Sequence, residues 1–368
     1  IKKDETKPLV FFDGICEACI VEKKKNNIDW DKRKFEFKKL LEKYKSRNGN
    51  YDVVVPGSGG KDSFYAAWIL KYKYGMNPLT VTWAPHIYTK WGWANFQRWI
   101  HAGFDNSLYT PNGRTHRLLT RLATDVLFHP FQPFILGQKN LAPKMSVLFG
   151  LPLVFYGENE SEYGNPKGDQ EAAQRNWEYF TETDPSEIFL GGVSVRDLKS
   201  DFGLNESDLD SYMPADPDNL RATGTEVHYL GYYLKWHPQG AYYYAVENTG
   251  FKANNEGRTE GTYSKYASLD DLLDGFHYYL AFIKFGIGRT TSDTAHEIRD
   301  EKIDREEGIA LIKRYDGEFP KKHFDFFLDY CKMTKEDFNT IIDSWRSPHI
   351  WDKHSDGSWF LKNPIWEE

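Results

Sequence analysis

Residues 53–63, with the sequence Val-Val-Val-Pro-Gly-Ser-Gly-Gly-Lys-Asp-Ser, have the types and spacing to hold a chain of phosphates. The β-branched run predicts a short buried strand, and residues 64–74 predict a helix. Glycine has no Cβ atom to keep a ligand away from backbone N–H groups, and a helix start adds partial positive charge. The segment therefore predicts a phosphate site, to which we assign Pro56, Gly57, Ser58, Gly59, Gly60, Lys61, Asp62 and Ser63.

The side chains of this loop have distinct predicted roles. Lys61 would place a cation near the β- and γ-phosphates of ATP. Asp62 would repel a triphosphate unless a cation lies between them, so we predict that Asp62 holds Mg²⁺. The hydroxyl groups of Ser58 and Ser63 can donate to phosphate oxygens, although Ser63 could instead cap its helix. The spacing differs from the Gly-x-x-x-x-Gly-Lys-Ser/Thr loop, because the lysine here precedes an aspartate.

Two further predicted strands, residues 79–83 and 151–156, should end at the same edge of the sheet as the loop. Ligands bind beyond the carboxyl ends of strands in open α/β sheets. We therefore predict that Thr82 and Trp83 flank the adenine of ATP.

An acidic segment follows the third predicted strand. Gly157 is assigned to the nucleotide site, and Glu158 and Glu162 to contacts with substrate, ammonia or a metal ion. Carboxylates this close to a phosphate site would be costly without cations. The alternative interpretation is an acidic loop exposed to solvent.

Cys16 and Cys19 have the Cys-x-x-Cys spacing of half a tetrahedral zinc site. Two thiolates do not complete such a site, and Cys331 lies in a distant predicted helix. A redox pair or no special role are the alternatives. Residues 284–293 contain two glycines between basic residues and could seat another anion, or could simply connect two helices.

The strand–helix–strand pattern within about thirty residues indicates a right-handed βαβ unit with a parallel sheet. The predicted fold class is a doubly wound α/β sheet. Its parts are an N-terminal segment with the cysteines (1–50), a nucleotide-binding domain (51–250) and a mostly helical C-terminal region (251–368). Strands are predicted at residues 52–55, 79–83, 151–156, 187–190 and 227–233, and helices at 29–44, 64–74, 96–104, 116–129, 269–283, 294–301, 305–315, 324–332 and after 334.

Composition excludes several classes of function. The 368 residues are 40% hydrophobic and 27% charged, as in ordinary globular proteins. The net charge is −7, which disfavours nucleic acid as the main partner. No apolar run approaches the ~20 residues of a membrane span. With three cysteines and no signal-peptide pattern at the N-terminus, we expect a reducing cytoplasm.

The Ser-Gly-Gly-Lys-Asp-Ser loop resembles the signature of the PP-loop ATP pyrophosphatases, which split ATP between its α- and β-phosphates. Across nearly the whole chain, the sequence resembles the bacterial N-acetyl sugar amidotransferases of surface-polysaccharide and nonulosonate pathways. The stretches that carry this resemblance are residues 55–63, 82–85, 116–117, 156–159, 162–164, 231–233, 236, 261–266, 276–279 and 284–293.

The resemblance implies an ATP-dependent enzyme that turns the acetamido group of a sugar or sugar nucleotide into an acetamidino group. The amide oxygen would be adenylated, and ammonia would then displace AMP. Ammonia would come from a separate glutaminase paired with a barrel protein, both like imidazole glycerol phosphate synthase. The family also implies zinc held by two Cys-x-x-Cys pairs, of which this sequence begins too late to contain the first. The alternative function is a PP-loop enzyme that adenylates another substrate, such as tRNA.

Overall fold

The structure is a computed structural model that describes residues 11–157, 172–182 and 184–367. Glu158 and Glu162 lie outside the described residues. The described strands are β1 (Phe11–Phe12), β2 (Ile15–Cys16), β3 (Val53–Pro56), β4 (Pro78–Trp83), β5 (Asp105–Tyr109), β6 (Leu153–Tyr156), β7 (Phe189–Leu190), β8 (Val193–Ser194), β9 (Glu226–Tyr229), β10 (Trp351–Lys353) and β11 (Trp359–Leu361). The described α-helices are α1 (Glu17–Lys25), α2 (Trp30–Tyr44), α3 (Lys61–Trp68), α4 (Lys90–His101), α5 (Gly113–Leu122), α6 (Gln132–Phe149), α7 (Val195–Ser200), α8 (Glu206–Leu209), α9 (Pro217–Thr223), α10 (Leu230–Tyr233), α11 (Pro238–Thr249), α12 (Asp274–Phe285), α13 (Arg289–Arg299), α14 (Arg305–Tyr315), α15 (Phe324–Cys331) and α16 (Lys335–Trp345).

Five parallel strands form the central sheet, in the order β5-β4-β3-β6-β9. In the middle strand, Val54 pairs with Leu79 of β4 on one side and with Val154 of β6 on the other. The chain builds β4 and β5 on one side of β3 before it returns to build β6 and β9 on the other. This reversal leaves a crevice at the carboxyl ends of β3 and β6, where ligands bind in such sheets. The predicted α/β fold with a wound parallel sheet is confirmed.

Helices cover both faces of this sheet. Alternate residues of a strand point to opposite faces. Val54 packs in a hydrophobic cluster with α6 and the C-terminal helices, whereas Val53 and Val55 pack in a second cluster with α2, α3 and α4. All three valines are fully buried, as expected of a parallel strand that is covered on both faces.

The C-terminal region shares the first of these clusters. Phe276 of α12 stacks on Phe327 of α15 with their ring centroids 4.2 Å apart, and both pack in the cluster that contains Val54. The hairpin of β10 and β11 follows α16, where the sequence predicts only helices. Its Trp351 indole donates a hydrogen bond to the Ile283 carbonyl (2.7 Å). Within the described residues, no helix combines the length and apolar character that a membrane crossing requires.

The strand predictions fail where polar contacts outweigh the hydrophobic pattern. β5 is not predicted, because its sequence Asp-Asn-Ser-Leu-Tyr is mostly polar. The Asn106 amide donates to the hydroxyls of Thr80 and Thr82 (3.0 and 2.9 Å), which fixes β5 at the sheet edge. The predicted strand at 187–190 is only a two-residue strand outside the central sheet, and the one at 227–233 ends at Tyr229.

Several helix boundaries differ from the prediction, and two of these differences shape the crevice. α4 begins at Lys90 because the Thr89 hydroxyl accepts a hydrogen bond from the Gly92 N–H group (2.8 Å). α12 begins only at Asp274, because the preceding residues bond to the segment before α4. Among these contacts, the Thr89 N–H group donates to the Asp270 carbonyl (3.0 Å). Residues 269–273 therefore bridge the two regions of the chain.

Candidate active site

Two glycines shape the loop after β3. A Cβ atom on Gly57 would lie 2.1 Å from Cβ of Ser63, and one on Gly59 would lie 2.7 Å from Cα of Phe96. Gly59 also has a φ angle of +83°, in the left-handed region that favours glycine. The backbone is therefore packed so closely that a larger residue would displace it at either position.

Hydrogen bonds from β4 hold this loop at the end of the sheet. The Gly57 N–H group donates to the Val81 carbonyl (2.9 Å), and the Thr82 hydroxyl donates to the Gly57 carbonyl (2.6 Å). Trp83 is 3% exposed and stacks on Tyr109, with ring centroids 5.1 Å apart. Thr82 and Trp83 thus belong to the framework beneath the loop, and their contact with adenine stays a prediction.

The start of α3 is open to an anion. Gly60 is the N-cap residue, and as a glycine it has no side chain that could cap the first turn. The Ser63 hydroxyl donates to the Gly60 carbonyl (2.9 Å), so it does not occupy the N–H groups that a phosphate would use. The first N–H groups of a helix have no partner within the helix, and they carry partial positive charge. This arrangement suits a phosphate group.

Lys61 and Asp62 form an ion pair beside this helix start. The Lys61 ammonium lies 2.8 and 2.6 Å from the two carboxylate oxygens of Asp62. The Lys61 side chain is 11% exposed, so the pair is largely shielded from water. A bound triphosphate would compete with Asp62 for the ammonium group and would leave the carboxylate free for a cation.

The loop opens into a cavity of about 430 Å³, within the range of about 300–1,000 Å³ for small-molecule sites. Residues 58–62 form one part of its wall. The lining does not include four residues assigned to the site from the sequence, Pro56, Gly57, Ser63 and Gly157; a Cβ atom on Gly157 would lie 3.5 Å from the Asp62 carbonyl. A large part of the wall comes from the C-terminal region, through Tyr263, Ser264, Tyr266, Ala267, Ser268, Leu269, Asp270, Asp271, Asp274, His277, Tyr278, Arg289, Asp293, His296 and Glu297.

Three of these residues form an acidic cluster: Asp270, Asp271 and Asp274. Burial raises the pKa of Asp270, opposed by a hydrogen bond with Ser58 of the loop. Burial and the neighbouring carboxylates raise the pKa of Asp274 well above its ordinary value. The Oδ2 atom of Asp274 is buried and has no hydrogen-bond partner in the described part of the chain. A cation in the cavity would relieve this cluster.

The third carboxylate of the cluster, that of Asp271, is held by His86, which follows the end of β4. Asp271 Oδ2 accepts a hydrogen bond from the His86 N–H group and lies 2.7 Å from Nδ1 of the same residue. Both side chains are almost completely buried, at 0% and 2% exposure. His86 therefore fixes the orientation of Asp271.

The cavity also contains a proton acceptor and a fixed cation. Burial lowers the pKa of His277 well below its ordinary value, and the charges of His129 and Arg289 lower it further. His277 is therefore a neutral imidazole at physiological pH. The Arg289 guanidinium donates to Asp293 (2.8 Å) and to the Tyr278 hydroxyl (3.3 Å), which holds its charge at the cavity wall.

The second predicted anion seat, residues 284–293, is filled by the chain itself. The Asp316 carboxylate accepts hydrogen bonds from the N–H groups of Gly288 (3.0 Å), Thr290 (2.8 Å) and Thr291 (3.2 Å). It also accepts a bond from the Thr291 hydroxyl. The structure therefore favours the simpler alternative, in which this segment connects two helices.

Cys16 and Cys19 lie at the end of β2 and in the first turn of α1. Burial raises the pKa of Cys16, but hydrogen bonds from Cys19 and the charge of Arg299 outweigh it, so this pKa is lowered overall. Burial and the neighbouring Cys16 raise the pKa of Cys19. Within the described residues, no group of three or more His, Cys, Asp or Glu residues could hold a metal ion. The two thiols alone do not fit a closed zinc site, and zinc stays a prediction.

The sequence analysis missed the acidic cluster and His277. Residues 268–275 read Ser-Leu-Asp-Asp-Leu-Leu-Asp-Gly, so three carboxylates interrupt an apolar run that otherwise predicts a helix. Carboxylates are rare in buried helices unless they are paired. That interruption was the available signal. The sequence gives no comparable signal that the segment faces the loop.

Comparisons with known proteins address the C-terminal region and one shorter stretch. Residues 260–364 match a family model described as "LPS biosynthesis protein WbpG-like, C-terminal domain". The chain is also 34% identical over 83 residues to an uncharacterised protein of Methanocaldococcus jannaschii, MJ1599; the alignment covers 22% of this chain and 30% of that protein. The chain thus spans under a third of the curated relative that it matches. The first match indicates a role in the biosynthesis of surface polysaccharides.

Proposed function

We propose that this protein is an ATP-dependent amidotransferase of the PP-loop type, which converts the acetamido group of a sugar or sugar nucleotide into an acetamidino group. The acetamido oxygen attacks the α-phosphorus of ATP, pyrophosphate leaves, and ammonia then displaces AMP from the O-adenylated carbon. The observation that carries the proposal is that the glycine loop and the region similar to LPS biosynthesis proteins line the same cavity.

In this proposal the loop binds the outer phosphates of ATP. Its glycines bring the backbone close to the ligand, and the open start of α3 supplies N–H donors. Lys61 leaves Asp62 and contacts the pyrophosphate as its negative charge grows. Such fixed charges at a leaving group are a large contribution to catalysis, since they need no reorganisation during the reaction.

We infer that a magnesium ion would bind here through one or two carboxylates and the phosphate oxygens, since no three acidic side chains of the described residues could hold a metal ion by themselves. Mg²⁺ in nucleotide sites is held by one or two carboxylates together with phosphate oxygens. Asp274 offers a buried carboxylate oxygen without a described partner, and Asp270 contacts the loop through Ser58. Asp62 becomes available once Lys61 turns to the phosphates. When bound, the ion supplies positive charge to the phosphate oxygens.

His277 is the candidate proton acceptor. Ammonia that adds to the activated carbon becomes positively charged, and it must lose a proton before AMP can leave. A neutral imidazole at the cavity wall is suited to take that proton. We also assign contacts with substrate or ammonia to Glu158 and Glu162.

We propose that ammonia comes from a separate glutaminase with a barrel partner. A glutaminase of the cysteine type needs a reactive thiolate. Burial raises the pKa of Cys331 to about 12, so this thiol stays protonated. The N-terminal thiols belong to β2 and α1, while the cavity wall is built by other elements. We place the reaction in the cytoplasm, where three free cysteines stay reduced.

The test supplies the purified protein with ATP, Mg²⁺ and ammonium, together with a panel of diacetamido sugars and sugar nucleotides. Replacement of an oxygen atom by an NH group lowers the substrate mass by about one dalton, and AMP should form in equal amount. Lys61→Ala should lose both products, whereas Lys73→Ala, at an exposed lysine in the continuation of the same helix, should retain them.

Two outcomes would contradict the proposal. Formation of ADP in place of AMP would exclude cleavage between the α- and β-phosphates. Amidine formation with glutamine as the sole nitrogen source would show that the protein makes its own ammonia. The net charge of −7 favours a small sugar substrate over the tRNA alternative.

A further inference from the structure

A second cavity, of about 780 Å³, lies at the start of α5. Its described lining contains the basic residues Arg114, Arg117, Arg121 and Lys332, and none of its lining residues is acidic. His86 belongs to this wall, while its hydrogen-bonded partner Asp271 belongs to the wall of the first cavity. The two cavities are therefore neighbours that share one buried pair.

Two of the four basic groups have no ion-pair partner among the described residues. Arg121 pairs with Asp125 (2.6 Å) and Lys332 pairs with Asp329 (2.8 Å). Arg114 and Arg117 have no carboxylate partner of this kind among the described residues. The Arg117 guanidinium lies 5.1 Å from the centre of the Tyr330 ring, and its Nε atom is buried without a described hydrogen-bond partner. The cavity therefore has a net positive wall.

The first turn of α5 and the buried His86 also face this cavity. The Asn112 side chain caps only the N–H group of Arg114 (3.0 Å), and a Cβ atom on Gly113 would meet nothing within 4 Å. The first turn of α5 is thus accessible. His86 must carry a proton on Nδ1, because the Asp271 carboxylate beside it can only accept. Its Nε2 atom is buried and lacks a partner in the described part of the chain, so a ligand in this cavity would complete its hydrogen bonding.

We propose that this cavity binds the phosphate or diphosphate group of an organic ligand, at a site separate from the ATP loop. The guanidinium fork matches the oxygens of a phosphate group. The cavity volume lies within the range of about 300–1,000 Å³ for small-molecule sites, so the cavity has room for more than an inorganic anion. Tyr330, Leu118 and Ile87 provide an apolar wall for the organic part.

The test is calorimetric titration of the full chain with uridine diphosphate, inorganic pyrophosphate and uridine. Uridine diphosphate should bind, and Arg117→Gln and Arg114→Ala should each weaken it about 10-fold, the loss of one charged phosphate contact. Lys61→Ala should not change this affinity, and neither should Arg196→Ala, which removes an exposed arginine on α7. Thermal unfolding checks that each variant is folded; Arg114 is exposed, so its removal should not disturb the fold.

Three results would overturn the proposal. One is no binding of uridine diphosphate or pyrophosphate at millimolar concentration. Another is binding that depends on Lys61 and not on Arg117, which would assign the ligand to the ATP loop. A third is that pyrophosphate binds to Lys61→Ala as tightly as uridine diphosphate does, which would exclude the organic part. ATP-dependent AMP formation in Arg117→Gln tests the proposed function separately, since it should persist if the two sites are independent.

Discussion

Two helices of the candidate site begin at a glycine, and their first turns differ. α3 begins after Gly60, a glycine that has no side chain to cap the first turn, and the nearby Ser63 hydroxyl bonds to a carbonyl instead. α13 begins after Gly288, and its first N–H groups bond to the carboxylate of Asp316. The glycine pattern predicts an anion site at both places. Only the first is open to a ligand.

The difference shows that a glycine before a helix is not enough to make an anion site. The chain can supply its own carboxylate from a distant position; Asp316 is 28 residues from Gly288. At the loop, by contrast, the nearest serine hydroxyl donates to a carbonyl and leaves the N–H groups available. An external phosphate is needed only where no internal acceptor is present.

The largest expected effect comes from Gly59→Ala. An alanine at a φ angle of +83° is strained, and its Cβ would lie 2.7 Å from a backbone atom of α4. We expect a loss of stability of about 1–3 kcal/mol and a fall in AMP formation of about 100-fold from the displaced loop. Denaturant unfolding and product analysis measure the two effects.

Gly60→Ala is the matched control. Gly60 has a φ angle of −73°, and its Cβ would lie 3.8 Å from the nearest neighbouring atom, the Ser58 hydroxyl. An alanine here should cost less than about 1 kcal/mol of stability. Equal destabilisation by both variants would show that close packing does not explain the need for glycine at 59.

Asp274→Asn should have opposite effects on activity and stability. Removal of the carboxylate should lower AMP formation about 10-fold, because a cation ligand is lost. The raised pKa means that the folded protein binds more protons than the unfolded chain, so native stability falls as the pH rises above about 4. Asp274→Asn cannot lose stability in this way. It should therefore be more stable than the native protein at neutral pH, by about 1.4 kcal/mol for each unit by which the pKa of Asp274 is raised.

Unfolding of both proteins by denaturant at several pH values measures this difference. The two stabilities should converge at low pH, where the aspartate is protonated in both states. Asp325→Asn, on α15 and away from the cavity, serves as the control for loss of a carboxylate outside the acidic cluster. If Asp274→Asn were less stable than the native protein at neutral pH, the interpretation that the buried Asp274 carboxylate destabilises the native state would be wrong.

Asp316→Ala should make the start of α13 resemble that of α3. Three N–H groups lose their acceptor, so we expect a loss of about 1–3 kcal/mol of stability. Added sulfate should restore part of this loss, because the vacated helix start binds anions. If sulfate stabilised the native protein and Asp316→Ala equally, Asp316 would not occupy an anion-binding site at the start of α13.

Much of the fold could be predicted from local sequence. The valines of β3 are buried on both faces, and the third C-terminal helix occupies residues 305–315 as predicted. The helix predicted after residue 334 is present as α16, and a capping box formed by Thr334 and Asp337 begins it. These features depend on neighbouring residues, so hydrophobic spacing and capping chemistry reveal them. β5 could not be predicted in this way, because cross-strand hydrogen bonds stabilise it.

The sequence by itself determined the glycine loop, the parallel sheet and the residues that would meet a phosphate. Only the tertiary structure decided what faces them. A hydrogen bond from His86 holds Asp271 at the crevice, although the two residues are 185 positions apart in the sequence. Asp316 likewise fills a helix start that the local sequence leaves open. Backbone conformation and burial are encoded over a few residues, whereas a cavity wall is set by contacts between distant segments. The conformation of the loop is therefore determined by neighbouring residues, whereas the rest of the site is determined by contacts between residues that are far apart in the sequence.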